Sequence, residues 1–298
     1  MLPAGNPPEI DVIVVNYNAG DALTRCVQSV LDQQAPVRIT VVDNASGDGS
    51  IERLQRAINL PEVVRVRLNS KNLGFARAVN EVVGQLADQT RYLLILNPDC
   101  EMLPGSLNAL RTALDNDPLS ALAGPVVVDF EGRPMRGTLR RFADPWSSLL
   151  TFSGLWRLGR WFPLFKGVED LGPLPADTTQ AEAVSGACML LRKSEFMAAG
   201  GMDGDYGLHC EDLDLMYRLR QRGLQCLLVP AARVFHAQGV SSASRPAWVH
   251  WQKHRGMQRF FVKFQASQTS LPLRYLVIAG IWIRFAVTLP LAFFRRRA

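Results

Sequence analysis

The sequence lacks paired cysteines. Its five, Cys26, Cys100, Cys188, Cys210 and Cys226, are scattered, and no two stand as CxxC. That spacing indicates neither a zinc module nor a disulfide framework, and a reducing compartment is expected. Glycine-rich phosphate loops are missing too. No GxGxxG follows the first strand-like run, and no GxxxxGK followed by Ser or Thr occurs anywhere. A dinucleotide site of Rossmann type and a P-loop are therefore disfavoured. The opening residues MLPAGNPPEI carry neither a basic n-region nor an apolar h-region, so no signal peptide is expected. There is no internal repeat or low-complexity tract. With 48% apolar and 20% charged residues, the chain has no signature of disorder.

Acidic residues stop at Asp214. Residues 215–298 hold fourteen Lys or Arg and no Asp or Glu, whereas the first 214 carry 19 basic against 27 acidic residues, net −8, within an overall +6. So one-sided a surface points to an anionic partner. Bulky apolar residues interleave the basic ones, which fits a lipid surface better than nucleic acid.

The 298 residues suffice for one large α/β domain with an appendage, or for two small domains. The first half alternates strand-like and helix-like stretches. DVIVVNYN (11–18) is a β-branched run. Leu23, Cys26, Val27, Val30 and Leu31 follow at helical spacing. RITVVDNAS (38–46) is a second strand. A helix near 50–58, a strand near 63–68, a helix near 75–86, the strand YLLIL and a helix near 104–116 follow. Pro104 is expected in the first turn of that last helix. This rhythm predicts a mostly parallel sheet covered by helices on both faces. Residues 139–166 break it with three tryptophans and five basic residues. They read as a helical excursion packed on the core or as a flap facing membrane or acceptor. The strand-like stretch 181–193, a glycine-rich turn at 200–207, a helix over 211–223 ended by Gly223, and strand and loop over 226–239 complete the pattern.

In such sheets ligands bind beyond the carboxyl ends of the strands. Asn16 and Asn18, Asp43 and Asn44, and Asn97 and Asp99 all fall there, which suggests one shared site. Asp99 follows Pro98, which fixes its own φ and restricts Asn97 to extended backbone. Asp99 could solvate a strand end or hold a divalent metal on a diphosphate. Glu211, Asp212 and Asp214 crowd the start of a helix, where the dipole favours them. Asp212 shares a face with Leu215 and Leu219, which would turn it inward, away from Glu211 and Asp214. Beside a second carboxylate it would be a general base of raised pKa. His236, near a late strand end, is either a structural histidine or a neutral imidazole completing a metal shell.

Taken in order, VVNYN, VVDNASGDGS, NLGFARAVN, LILNPD, SGACMLLRK, CEDLDLMYRLRQRG and VFHAQG resemble family 2 glycosyltransferases of the GT-A fold, over roughly 10–240. Within that family the chain looks most like bacterial rhamnosyltransferases of cell-envelope polysaccharide assembly, with NPD in place of DxD and a basic segment from Lys253 to Phe261. The resemblance implies an inverting hexosyltransferase. Asn16, Asn18, Asp43 and Asn44 would hold the base and ribose of a nucleotide-sugar. Asn72 and Gly74 would border the nucleotide, and Arg77 would approach its phosphates. Asp99, with His236, would bind Mg²⁺ or Mn²⁺, while Asn97 leaves one charge fewer than DxD and is not expected to be a direct ligand. Ser185 and Gly186 would line the sugar or acceptor pocket. Asp212 would be the base, with Glu211 as its neighbour. The donor implied is dTDP-rhamnose, with UDP-galactofuranose, UDP-GlcNAc or GDP-mannose as alternatives, and the acceptor a polyprenyl-diphosphate-linked saccharide.

The division expected is a catalytic domain over 1–240 and a basic, amphipathic, membrane-associating tail over 241–298. Residues 275–294 are long enough to span a bilayer. Arg284 at their centre is unfavourable there by about 2.5–3.5 kcal/mol, and Pro290 adds a break. Arg284, Thr288 and Arg295 fall on one stripe, which favours an interfacial helix over a span or a buried helix. With 248–264 it would hold the enzyme on the cytoplasmic face of a bacterial inner membrane. Two other classes remain open. A nucleotidyltransferase would need a glycine-rich basic signature near the first strand, and a non-enzymatic membrane adaptor would leave Asp99, Asp212 and His236 without a use.

Overall fold

The computed structural model describes residues 9–59, 62–87, 89–142, 144, 156, 158, 162, 173–237 and 245–294. Most of the 139–166 excursion therefore lies outside the described residues. Alternation along the central strands explains the architecture. In β1 (Ile10–Asn16) every residue is buried, but Val12 and Val14 join one apolar cluster while Ile13 and Val15 join another. β4 (Tyr92–Leu96) does the same, with Leu94 and Leu96 on one side and Leu93 and Ile95 on the other. A strand with period-2 side chains that are apolar on both faces must be covered on both.

The sheet runs β3-β2-β1-β4-β10-β6-β11-β5, where β2 is Val37–Asp43, β3 Val64–Leu68, β5 Cys100–Met102, β6 Ser120–Val128, β10 Cys188–Arg192 and β11 Gln225–His236. β8 (Thr179–Ala181) adds to β11. β1, β2, β3 and β4 are mutually parallel, and β6 is parallel to β11. β10 is inserted antiparallel between β4 and β6. The sheet is thus mostly parallel, as its βα rhythm implies.

One face is covered by α1 (Ala22–Leu31), α2 (Ser50–Ala57) and α4 (Ser106–Asn116), through residues such as Leu23, Val27, Leu54 and Leu110. The other is covered by α3 (Phe75–Val83), the short α5 (Lys193–Ala198) and α6 (Glu211–Gln221), through Val79, Val82, Phe196, Leu215 and Leu219. The helix expected from Pro104 begins at Ser106 instead. Gly105 takes φ +78° just before it, and that left-handed residue turns the chain into the helix after Pro104 has passed.

The C-terminal residues form α7 (Pro246–Phe264) and α8 (Leu271–Phe294). Phe260 and Phe264 of α7 belong to the apolar cluster on the α6 face. Tyr217 of α6 meets them at ring-centroid distances of 5.5 and 4.5 Å, and Phe142 at 5.0 Å. Burial of each such side chain contributes about 1.5–3 kcal/mol. Arg259 pairs with Asp203 and Asp205, each at 2.9 Å, and Lys263 reaches Asp203 at 2.7 Å and Asp214 at 2.6 Å. The stretch 248–264, expected to face a membrane, thus turns two of its cations onto Asp203, Asp205 and Asp214, which belong to the acidic part of the chain. The charge asymmetry read along the sequence is partly cancelled within the fold.

In α8 Arg284 and Thr288 do share a stripe, with Trp282, but it faces α7; Arg295, expected on the same stripe, lies outside the described residues. Thr288 Oγ1 lies 2.9 Å from His250 Nε2, Trp282 Nε1 donates to Gln258 at 2.8 Å, and Arg284 lies 3.9 Å from the Met257 sulfur. The exposed residues of α8 include Leu271, Tyr275, Leu276, Ile283 and Val287. The helix over 271–290 is long and apolar enough to cross a membrane.

Candidate active site

β1, β2 and β4 lie side by side, so the polar residues at their carboxyl ends share one rim. Asn16 is fully buried. Its Nδ2 donates to Asp43 Oδ1 at 2.7 Å and lies 2.8 Å from Ser50 Oγ and 3.1 Å from Ser46 Oγ. Asp43 also accepts from the Ser46 amide at 3.0 Å. Asn44, buried, donates to the Gly74 carbonyl at 3.3 Å and accepts from Asn69 at 2.9 Å. Asn72 accepts from the Gly74 amide at 2.9 Å, and Asn18 from the Gly47 amide at 2.9 Å. These side chains are engaged in holding the loops after β1, β2 and β3. What a ligand would meet there is the loops they shape. Gly74, at φ +83°, supplies the turn into α3. Arg77 is exposed and bridges to the 203–205 loop, donating to the Gly204 carbonyl at 2.8 Å and lying 3.4 Å from Asp205.

Asp99 and His236 meet across the sheet. β5 pairs with the end of β11 so that His236 stands opposite Cys100, and His236 Nε2 lies 3.1 Å from Asp99 Oδ1. Donor atoms of Asp99, Cys100 and His236 all fall within 4.8 Å of one another. Burial, and then the Asp99 charge, raises the Cys100 thiol well above its ordinary pKa, which disfavours a thiolate there. That leaves one carboxylate and one imidazole. His236 Nδ1 is buried without a hydrogen-bond partner among the described residues. An oxygen-and-nitrogen pair of this kind fits Mn²⁺ or Mg²⁺ supplemented by phosphate oxygens. Asn97 is half-buried. Its amide donates to the Ala187 carbonyl at 2.8 Å and its carbonyl accepts from the Cys26 thiol at 3.4 Å.

That Ala187 bond ties the Asp99 turn to the next group. Ala187 follows Ser185 and Gly186, in the link between β9 (Ala183–Val184) and β10. Ser185 Oγ accepts from the Ala187 amide at 3.3 Å. Gly186 packs against Asp212: a Cβ added to it would lie 2.7 Å from Asp212 Cβ. Asp212 stands at the start of α6, half-buried, and its Oδ2 lies 2.6 Å from Arg140 Nη1. Arg140 is carried by β7 (Leu139–Arg140), which among the described residues pairs only with β9. His209 and Cys210, at φ 67° and 72°, make the turn before Glu211. Two consecutive left-handed non-glycine residues are uncommon and concentrate where surrounding structure over-determines them. His209 keeps solvent-exposed surface, yet the protein packed round its ring, and then Lys253, push its imidazole down to about 4.

One expectation about α6 is corrected. Asp212 was to turn inward and Asp214 away. Asp214 is the fully buried residue, held by Arg218 at 2.6 Å, Lys263 at 2.6 Å and the Tyr206 hydroxyl at 3.1 Å. Local spacing missed this because α7 covers α6 and brings Lys263 from 49 residues away. Burial, and then the Asp212 charge, raise Glu211 well above the carboxylate range. Its Oε2 is buried without a partner among the described residues. Arg140 was not among the candidates, since nothing in LRRF marks its pairing with a residue 72 positions on.

A carboxylate at a helix start, a second carboxylate with a histidine at a strand end, and a polar rim on a mostly parallel sheet together make the candidate active site. The fold is GT-A. It is similar to GalNAc-T7 crystallised with UDP, GalNAc and Mn²⁺ (TM-score 0.58, 20% identity, 78% of this chain but 44% of that one). It is also similar to the mannosyltransferase PcManGT of Pyrobaculum calidifontis in complex with GDP-Man and Mn²⁺ (TM-score 0.58, 17% identity, 98% of this chain and 73% of that one). Residues 11–170 match the Glycosyl transferase family 2 profile, and the chain belongs to that family. It is 28% identical to the N-acetylglucosaminyl-diphospho-decaprenol L-rhamnosyltransferase of Mycobacterium tuberculosis, over 92% of this chain and 91% of that protein. To the rhamnosyltransferase WbbL of Escherichia coli it is 34% identical, over 76% and 82%.

Proposed function

We propose that this glycosyltransferase moves L-rhamnose from dTDP-rhamnose, with inversion, to a saccharide carried on a polyprenyl diphosphate. The observation that carries the reading is the likeness to a rhamnosyltransferase with such an acceptor over 92% of the chain. The geometry of Asp212 supports the chemistry. A carboxylate at the head of a helix, seated against a glycine, can receive an incoming hydroxyl. The acceptor O–H gives its proton to Asp212 as its oxygen bonds to the anomeric carbon. The bond from that carbon to the diphosphate oxygen breaks, and the nucleoside diphosphate departs with the electron pair. One displacement from the opposite face inverts the centre. Asp99 and His236 would hold Mg²⁺ or Mn²⁺, which supplies charge neutralisation for the leaving diphosphate. The loops shaped by Asn16, Asp43, Asn44 and Asn72 would seat the nucleoside, and Ser185 and Gly186 would border the sugar.

The reading also places the enzyme on an anionic membrane at the cytoplasmic face. Its support is the apolar, exposed side of α8, whose polar residues are turned to α7. The test is a screen of dTDP-, UDP- and GDP-sugars with a prenyl-diphosphate-GlcNAc acceptor, with and without EDTA. Preferential consumption of dTDP-rhamnose with release of dTDP is expected. Preference for a UDP- or GDP-sugar would overturn the rhamnose assignment. Release of pyrophosphate in place of a nucleoside diphosphate would overturn sugar transfer itself.

A further inference from the structure

The resting arrangement sets a chemical problem for the base. A guanidinium 2.6 Å from Asp212 Oδ2 occupies that oxygen with a charge-assisted hydrogen bond. Oδ1 accepts from the Leu213 amide at 2.8 Å, so both oxygens are engaged. An incoming hydroxyl must compete with Arg140 for Oδ2. An anion arriving with the acceptor would draw the guanidinium off at the moment the base is needed.

We propose that Arg140 binds the diphosphate of the lipid-linked acceptor, and that this exchange of partners frees Asp212 to receive the acceptor proton. The inference rests on the acceptor class proposed above. Arg140 is the more open member of the pair, its side chain 28% exposed against 14% for Asp212. It sits on a two-residue strand that, among the described residues, pairs with β9. Its planar fork suits two phosphate oxygens, which a lysine would meet as a point charge. A second cation acts on the same groups. Lys253, on the exposed side of α7, acts with Arg140 on the His209 ring and on Cys210 next to the Glu211–Asp212 pair.

The probe is geranyl diphosphate, titrated calorimetrically into the full-length protein with dTDP and Mn²⁺ saturating the donor site. Wild type is expected to bind it. Arg140→Gln should bind it about 10- to 100-fold more weakly, the range for loss of a charge-assisted contact. Arg140→Lys should fall between, and dTDP affinity and Tm should stay near wild type in both. No binding to wild type, or probe affinity within twofold of wild type in Arg140→Gln, overturns the proposal. Should that variant not fold, unchanged affinity in Lys253→Gln overturns it instead. Loss of probe binding in Arg140→Gln, together with failure of wild type to glycosylate any GlcNAc-diphosphate lipid, would uphold the diphosphate site and overturn the acceptor saccharide.

Discussion

Gly186 and Asp212 pack with no room for a methyl group between them: a Cβ on Gly186 would lie 2.7 Å from Asp212 Cβ and closer still to its Oδ2. Gly186→Ala must therefore displace the carboxylate. A misplacement of about 1 Å in a catalytic group costs on the order of 10²-fold in rate. A fall of that size in kcat is expected, with donor KM little changed. Steady-state kinetics with both substrates varied will show it, and wild-type turnover would mean that Asp212 does not act where the structure holds it.

Asp212→Asn keeps the shape and removes the proton acceptor. Transfer should fall by about 10²–10⁴-fold, the span of a lost general base. Calorimetric affinity for dTDP should stay within a few-fold, because Asp212 belongs to a cluster separate from Asp99 and His236. A variant that turns over near-normally would end the assignment.

Asp99→Asn and His236→Gln test the other cluster. Each removes one ligand from a pair, so the Mn²⁺ concentration giving half-maximal nucleotide binding should rise at least about 10-fold. Nucleotide binding that is indifferent to EDTA in wild type would remove the metal from the reading.

Glu211 gives a pH-dependent stability. Its folded pKa is raised above an unfolded value of about 4.3, so the folded protein holds a proton that the unfolded chain releases. The associated stability is fully present below about pH 4 and is lost as pH rises toward the folded value. Glu211→Gln cannot ionise and escapes that loss. The Tm of Glu211→Gln relative to wild type should therefore climb between about pH 5 and pH 9 in thermal melts. A constant difference across that range would show that Glu211 is not held protonated.

The C-terminal helices should separate in function. A chain ending at residue 264 keeps α7 and should stay folded while losing affinity for anionic vesicles in flotation. A chain ending at residue 240 also loses Phe260, Phe264 and the Lys263 partner of buried Asp214. Leaving a buried charge short of a partner costs about 3–5 kcal/mol, so this shorter chain should melt well below the longer one. Equal flotation of full-length protein and the 264-residue chain would move the membrane contact elsewhere.

Much of this was legible in the sequence because its causes are local. Period-2 apolar runs in DVIVV and YLLIL fix strands buried on both faces. The helical spacing from Leu23 to Leu31 fixes a covering helix. Strand ends in Asn16, Asp43 and Asp99 mark a rim because polar residues leave a buried strand at its end. Asp99 and His236 could be named as candidates, and the structure brings them to 3.1 Å. The order of the motifs was enough to indicate family 2.

Tertiary structure decided what depends on partners distant in the chain. Which carboxylate of EDLD is buried could not be read from α6 alone, since Lys263 of α7 compensates Asp214 and apolar packing raises Glu211. The stripe of Arg284, Thr288 and Arg295 favoured an interfacial helix, but it could not show that α7 supplies partners for Arg284 and Thr288 and leaves apolar residues of α8 outward. Arg140 reached Asp212 through a two-stranded pairing that leaves no trace in either segment. Sequence thus determined the elements and the rim, which follow from each residue's own preference for water or core. The charge partners were set by which surfaces came together, and that is a property of the folded chain.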